Sequence, residues 1–162
     1  MKIGQRRVKK QVSLILKKMG YIKSEISILF VDDGEMRALN KQYRKKDKPT
    51  DVLSFSQNEE VGSNQYAVSS KKRSAYCLLP TVYSHLLGDV VISLETAKRQ
   101  AKERGHPFMK EVLILMIHGI LHLIGYDHEK SKKMAVEMRK KENEILKLLE
   151  HEFHEYANGT NK

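Results

Sequence analysis

The run from Val112 to Ile117, VLILMI, constrains this chain more than any other stretch. Pro107 suits the first turn of a helix, and the pattern carries that helix to about Ile124. A helix that is apolar nearly all round cannot lie on a surface, so it must be wrapped by the rest of the chain. Its continuation reads HGILHLIGYDH, which puts three histidines into the eleven residues from His118 to His128. Polar rings on a central helix need a reason to be there.

The remaining segments supply the wrapping. Lys2–Met19 reads as an amphipathic helix with Val8, Val12, Ile15, Leu16 and Met19 near one face and Gly20 as its stop. Glu25–Val31 is β-branched and apolar and reads as a strand. Asp32-Asp33-Gly34 ends it and offers an N-cap to a helix over Glu35–Lys46, closed by Pro49, with Met36, Leu39 and Tyr43 on one side. Asp51–Phe55 and Gly88–Ser93 read as further strands. Ser93 is placed to cap a helix over Leu94–Arg104 that Gly105 ends. A last helix runs from Lys130 to about Phe153, with Met134, Met138, Ile145, Leu148 and Leu149 inside. Between Gln57 and Leu86 periodicity is lost. That interval is expected to be a long, partly mobile insertion, with a short edge strand at Tyr76–Leu79. These elements form a single domain over residues 1–156, which suits the length of 162 residues, followed by a disordered tail over 157–162.

His118 and His122 are four residues apart, about 400° of helical rotation and 6 Å of rise, so both rings leave one face. A continuing helix would carry His128 away. Gly125 sits where a C-cap glycine belongs and takes a left-handed conformation at little cost, so the chain can turn back and bring His128 to the same ion. The spacing H-x3-H-x2-G-x2-H is the ligand pattern of metzincin zinc proteases. Three nitrogen donors leave a fourth position open, as catalytic sites do and structural ones seldom do. Those proteases place a glutamate general base after the first histidine. Here that position is Gly119, which disfavours peptide hydrolysis. Asp127 either orients a ligand ring from behind or caps the helix end. His106 reads as a helix-start residue, and His85, His151 and His154 as surface.

A second polar cluster runs from Leu39 to Asp51. Arg44, Lys45, Lys46 and Lys48 place four cations in five positions. An arginine fork fits phosphate bidentately, but cations also suit a solvated helix end, and the residues alone leave both readings open. The whole chain carries +10 at pH 7 with a pI of about 9.6. Such a surface attracts polyanions, nucleic acid foremost. A metal with an open position, a basic surface and no adjacent protein base together suggest metal-assisted cleavage of a phosphodiester.

HGILHLIGYDH closely resembles the signature H-G-x-L-H-L-x-G-Y-D-H of the YbeY family of bacterial endoribonucleases. The resemblance extends to Leu39-Asn40, Tyr43-Arg44, Asp47, Pro49–Phe55, Leu87–Ser93, Gln100-Ala101, Gly105-His106 and Glu111. It implies an α+β fold in which about five helices surround a small mixed sheet of about four strands. It implies one zinc ion per chain on His118, His122 and His128, with His118 and Arg44 important for activity; beside Arg44, the basic cluster offers Lys45, Lys46 and Lys48 as candidates to face RNA phosphate. It further implies a single-strand-specific endoribonuclease acting in 16S rRNA 3′-end maturation and ribosome quality control. Its partners would be an rRNA precursor and the small ribosomal subunit with its assembly factors. The chain departs from the family at Ser56, where a proline is usual, and in the length of the following connection.

Two other functions remain open at this point: a zinc metallopeptidase, and a ribosome-associated RNA-binding factor with a structural metal. No segment approaches the roughly 20 apolar residues of a membrane span. The single cysteine, Cys77, reads as a free buried thiol and fits a reducing compartment, so a cytoplasmic location is expected.

Overall fold

The computed structural model describes residues 3–57, 85–128 and 131–158. Among the described residues, five helices and three strands follow in the order α1 (Gln5–Lys18), β1 (Ser24–Val31), α2 (Asp33–Arg44), β2 (Val52–Ser56), β3 (His85–Ser93), α3 (Leu94–Arg104), α4 (Phe108–Leu123) and α5 (Lys132–Asn158). The sheet is mixed. β3 lies at its centre, parallel to β1 and antiparallel to β2. The α+β class and the five helices match the expectation. The strand expected at Tyr76–Leu79, Cys77 and the interval around Ser69–Ser74 lie outside the described residues, as does the chain after Asn158.

Local chemistry sets most boundaries. The Asp32 carboxylate accepts the Glu35 N–H at 2.8 Å, and the Ser93 hydroxyl accepts the Thr96 N–H at 3.2 Å, so both helices start on capped amides. Gly105 stops α3 in the left-handed region at φ 68°. One carboxylate ties two of these starts together. Asp33 accepts from Ser93 Oγ at 2.6 Å, Thr96 Oγ1 at 2.7 Å and Arg99 Nη1 at 2.6 Å. Burial alone would raise its pKa, but these bonds outweigh it and hold the carboxyl at about 2.

The end of α2 differs from the sequence expectation. Pro49 does not close it. The helix stops at Arg44, and Lys45 adopts a left-handed conformation with φ 59°. The cause is Asn40. Its carbonyl accepts from Lys45 N and, at 3.3 Å, from Lys46 N, while its buried side-chain amide donates to Lys48 O at 2.7 Å. Asp47 adds ion pairs to Arg37 and Lys41 at 2.7 and 2.9 Å, and these bonds pull its pKa down to about 2. The basic segment is therefore folded back on its own helix. Tyr43 also departs from its helical partners: Met36 is fully buried, whereas Tyr43 is 56% exposed.

α4 is the central helix that its sequence demands. Val112, Leu113, Leu115, Met116, Ile117, Ile120, Leu121 and Leu123 are all buried, between α3, α5 and the β2–β3 part of the sheet. Its first turn buries Glu111 completely, paired with Arg104 at 2.5 Å and His106 at 2.9 Å. A buried carboxylate is tolerated only with such partners. His106 is thus more than a helix-start residue.

At Gly119, α4 lies close against the sheet. A Cβ there would overlap Val90 Cγ1 and press on Ser54 Oγ and Val52 Cγ2 at 3.2 Å. Ser54 Oγ donates to the Gly119 carbonyl at 3.0 Å, which fixes β2 against the helix.

Candidate metal centre

The helix ends as the spacing anticipates. Ile124 is the C-cap, and Gly125 follows in the left-handed region at φ 98°. The Tyr126 N–H donates to Leu121 O at 3.0 Å and the Gly125 N–H to His122 O at 3.1 Å. That pair of bonds is a Schellman motif, and it reverses the chain over the last turn. His128 returns to the two helical rings. Its ring centroid lies 5.2 Å from that of His118 and 5.1 Å from that of His122, and those two are 4.7 Å apart.

One nitrogen from each ring falls within 4.8 Å of the others. Around a zinc-sized ion, tetrahedral donors at about 2.1 Å stand roughly 3.4 Å from one another. The Nε2 atoms of His118 and His122, 3.1 Å apart, are already near that spacing, and no pair in the set is more than 4.8 Å apart. An all-imidazole set suits zinc and its borderline neighbours better than calcium or magnesium, which take oxygen. Among the described residues no further His, Cys, Asp or Glu joins the group, so the three histidines could hold an ion with a position left for another ligand.

Electrostatics support this. Burial pushes the His122 pKa down, and the neighbouring His118 and His128 push it the same way, against a smaller opposite pull from Asp127. The ring therefore favours its neutral form, the form that donates a lone pair. His118 is oriented from behind. Its Nδ1 lies 2.6 Å from Glu142 Oε1 on α5. A carboxylate there accepts the Nδ1 proton and leaves the Nε2 lone pair facing the other rings.

Sequence reasoning offers Asp127 as either a support for a ligand ring or a cap for the helix end, and it misses Glu142. Asp127 lines the cleft beside the histidines and acts electrostatically on His122, and Glu142, 24 residues from His118, puts a further carboxylate on a histidine ring. A signal was present. Met138, Ile145 and Leu149 form the buried stripe of α5. Glu142 falls on that stripe, four residues after Met138 and three before Ile145. A carboxylate on an inward face needs a partner.

The rings open into a cleft of about 720 Å³, with β2 and its lead-in Thr50-Asp51 along one wall and Tyr43 and Arg44 at the end of α2. The basic segment is thereby divided. Arg44 lines the cleft, whereas Lys45, Lys46 and Lys48 are exposed and do not line it. Asp51 is held by the Val52 N–H at 2.9 Å and by Gln100 Nε2 at 3.0 Å, which ties this wall to α3.

Comparison with known proteins shows the family. The family model described as Endoribonuclease YbeY matches residues 1–150. A protein named Endoribonuclease YbeY from Aquifex aeolicus is 43% identical over 148 residues, covering 91% of this chain and 85% of its own. A protein of the same name from Persephonella marina is 43% identical over 144 residues, covering 89% and 82%. The solution structure of a Thermotoga maritima protein superposes with a TM-score of 0.60 at 28% identity, over 95% of this chain and 89% of that one.

Proposed function

Since the chain belongs to the endoribonuclease YbeY family, we propose that it is a zinc-dependent endoribonuclease that cuts single-stranded RNA in the cleft between α2, β2 and the end of α4. The observation that carries this reading is the convergence of three imidazoles and Arg44 on one cleft. His118, His122 and His128 would hold the ion, which when bound supplies Lewis-acid polarisation of a phosphoryl oxygen. Arg44 offers a permanently charged fork to the phosphate and to the charge that grows on it in the transition state. Glu142 keeps His118 in the tautomer that donates from Nε2. Gly119 leaves no carboxylate at the place where metallopeptidases keep their base, which favours a phosphodiester over a peptide.

The substrate we propose is a small-subunit rRNA precursor, cut at its 3′ end in the course of ribosome maturation and quality control. The small ribosomal subunit and its assembly factors would be the partners and the cytoplasm the setting. The net charge of +10 supports a polyanionic partner, and among the described residues no helix is long and apolar enough to cross a membrane.

The test is cleavage of an end-labelled unstructured RNA before and after chelation. Cutting should fall to background when elemental analysis shows the metal gone, and return with zinc. Verified metal-free protein that cuts at full rate would refute the reading, and chelation-sensitive digestion of unfolded casein would point to a peptidase. Arg44→Ala separates an enzyme from a binding factor. In single-turnover assays at saturating RNA, its rate should fall by roughly 10² to 10³. A rate that recovers fully at high RNA concentration would mean that Arg44 serves binding alone. Glu142→Ala should weaken zinc affinity by about 10- to 100-fold, with Glu142→Gln losing less because its amide oxygen still accepts from Nδ1. Competition with a zinc-sensitive dye reads that difference directly.

A further inference from the structure

The sequence pattern groups Tyr43 with Met36 and Leu39 on the buried side of α2, yet its ring is 56% exposed, among the most exposed large apolar side chains of the described residues. It is not loose. Tyr43 meets Phe55 of β2 edge to face, with ring centroids 4.8 Å apart and planes at 63°. Both rings line the same cleft as His118, His122 and His128. Arg44, the next residue along the chain, lines it too. An aromatic surface thus stands beside a phosphate-type cation and a candidate metal centre, within one concavity large enough for a nucleotide.

We propose that Tyr43, braced by Phe55, is a stacking platform for one nucleobase of single-stranded RNA adjacent to the cleaved phosphate. The inference rests on the endoribonuclease reading of the cleft. Every base has a π-face, so stacking grips RNA without choosing a sequence. It also demands an unpaired base, because a base inside a duplex already has both faces covered. The platform would therefore enforce single-strand selectivity through Tyr43 while the metal and Arg44 act on the backbone. Phe55 sits on a strand that Ser54 ties to α4, so the platform and the histidines are positioned by one rigid contact. A Tyr ring has two side-chain torsions, and a packed neighbour has already limited them, so little motion remains to be lost on binding.

The experiment uses a zinc-loaded full-length chain and a short unstructured RNA with one cleavage site. A second RNA set carries a single abasic ribose at successive positions around that site. A third set carries 2-aminopurine there, a base whose fluorescence is quenched by stacking. Tyr43→Ala should raise the RNA concentration at half-saturation by roughly tenfold or more, with the single-turnover rate at saturation nearly unchanged. Tyr43→Phe should behave as the parent, and Tyr43→Leu, which fills the space over Phe55 without a π-face, should behave as Tyr43→Ala. One abasic position should reproduce the loss in the parent chain, and there Tyr43→Ala should add nothing further. Quenching of 2-aminopurine at that position should vanish in Tyr43→Ala and Tyr43→Leu. Losses that multiply independently, or a Tyr43→Leu variant equal to the parent, would overturn the proposal by reducing Tyr43 to a packing residue. Failure of the endoribonuclease reading looks different: the zinc-loaded parent would cut no RNA, and the quenching series would still decide whether a base stacks on Tyr43.

Discussion

His118→Ala is expected to reduce RNA cleavage by about a thousandfold or more while leaving the protein folded. Losing one of three donors removes transition-state charge stabilisation of several kcal/mol, and about 4 kcal/mol corresponds to a thousandfold. The change also takes away the Nδ1 that Glu142 meets at 2.6 Å, so the Glu142 carboxylate is left without that partner. The fold should survive because His118 is half-buried at the cleft edge, while Leu115, Met116, Ile120 and Leu121 keep the core contacts of α4. Circular dichroism and a melting curve check folding, and elemental analysis checks metal content. A folded variant that cuts at the parental rate would remove the three-histidine centre from the chemistry.

Gly119→Glu should fail differently, by loss of the fold. It restores the residue that metzincins carry, so motif logic alone would expect a peptidase. The packing forbids it. A Cβ at this point overlaps Val90 Cγ1 and crowds Ser54 and Val52, and a carboxylate beyond it would be pressed into the sheet. Even Gly119→Ala is informative. Helix propensity alone favours alanine by about 1 kcal/mol, whereas overpacking a well-filled contact costs about 1 to 3 kcal/mol. The net expectation is a melting temperature a few degrees lower for alanine, at roughly 2 to 4 °C per kcal/mol for a chain of this size. For glutamate, burial of an unpaired charge adds several kcal/mol more and soluble folded protein should largely disappear. A Gly119→Glu variant as stable as the parent would show that α4 and the sheet are not in close contact there.

Features decided by a few neighbouring residues were legible in the sequence. The Asp32 and Ser93 caps, the Gly105 stop and the return at Gly125 all follow from hydrogen bonds within one turn. The central place of α4 follows from its composition. Features decided between distant elements were not legible. Glu142 meets His118 only because α5 packs on α4. Tyr43 stays largely exposed at the end of α2, with its ring against Phe55 of β2, a contact between elements that the helical pattern does not reveal. Pro49 looked like the stop of α2, but a buried Asn40 side chain reaching Lys48 ends it earlier. Gly119 read as a missing catalytic group, and its packing reason needed the position of Val90.

Because α4 is both the innermost helix and the carrier of two metal-ligand candidates, occupancy of the centre and survival of the whole domain become linked quantities. A cation that binds the native chain and not the unfolded one adds RT ln(1 + [L]/Kd), about 2.7 kcal/mol when its free concentration is a hundred times Kd. Under the proposed zinc reading, a cell short of that metal would see the same chain melt sooner and meet proteases more often, so that metal supply would set how much of the protein persists as well as how fast each molecule works.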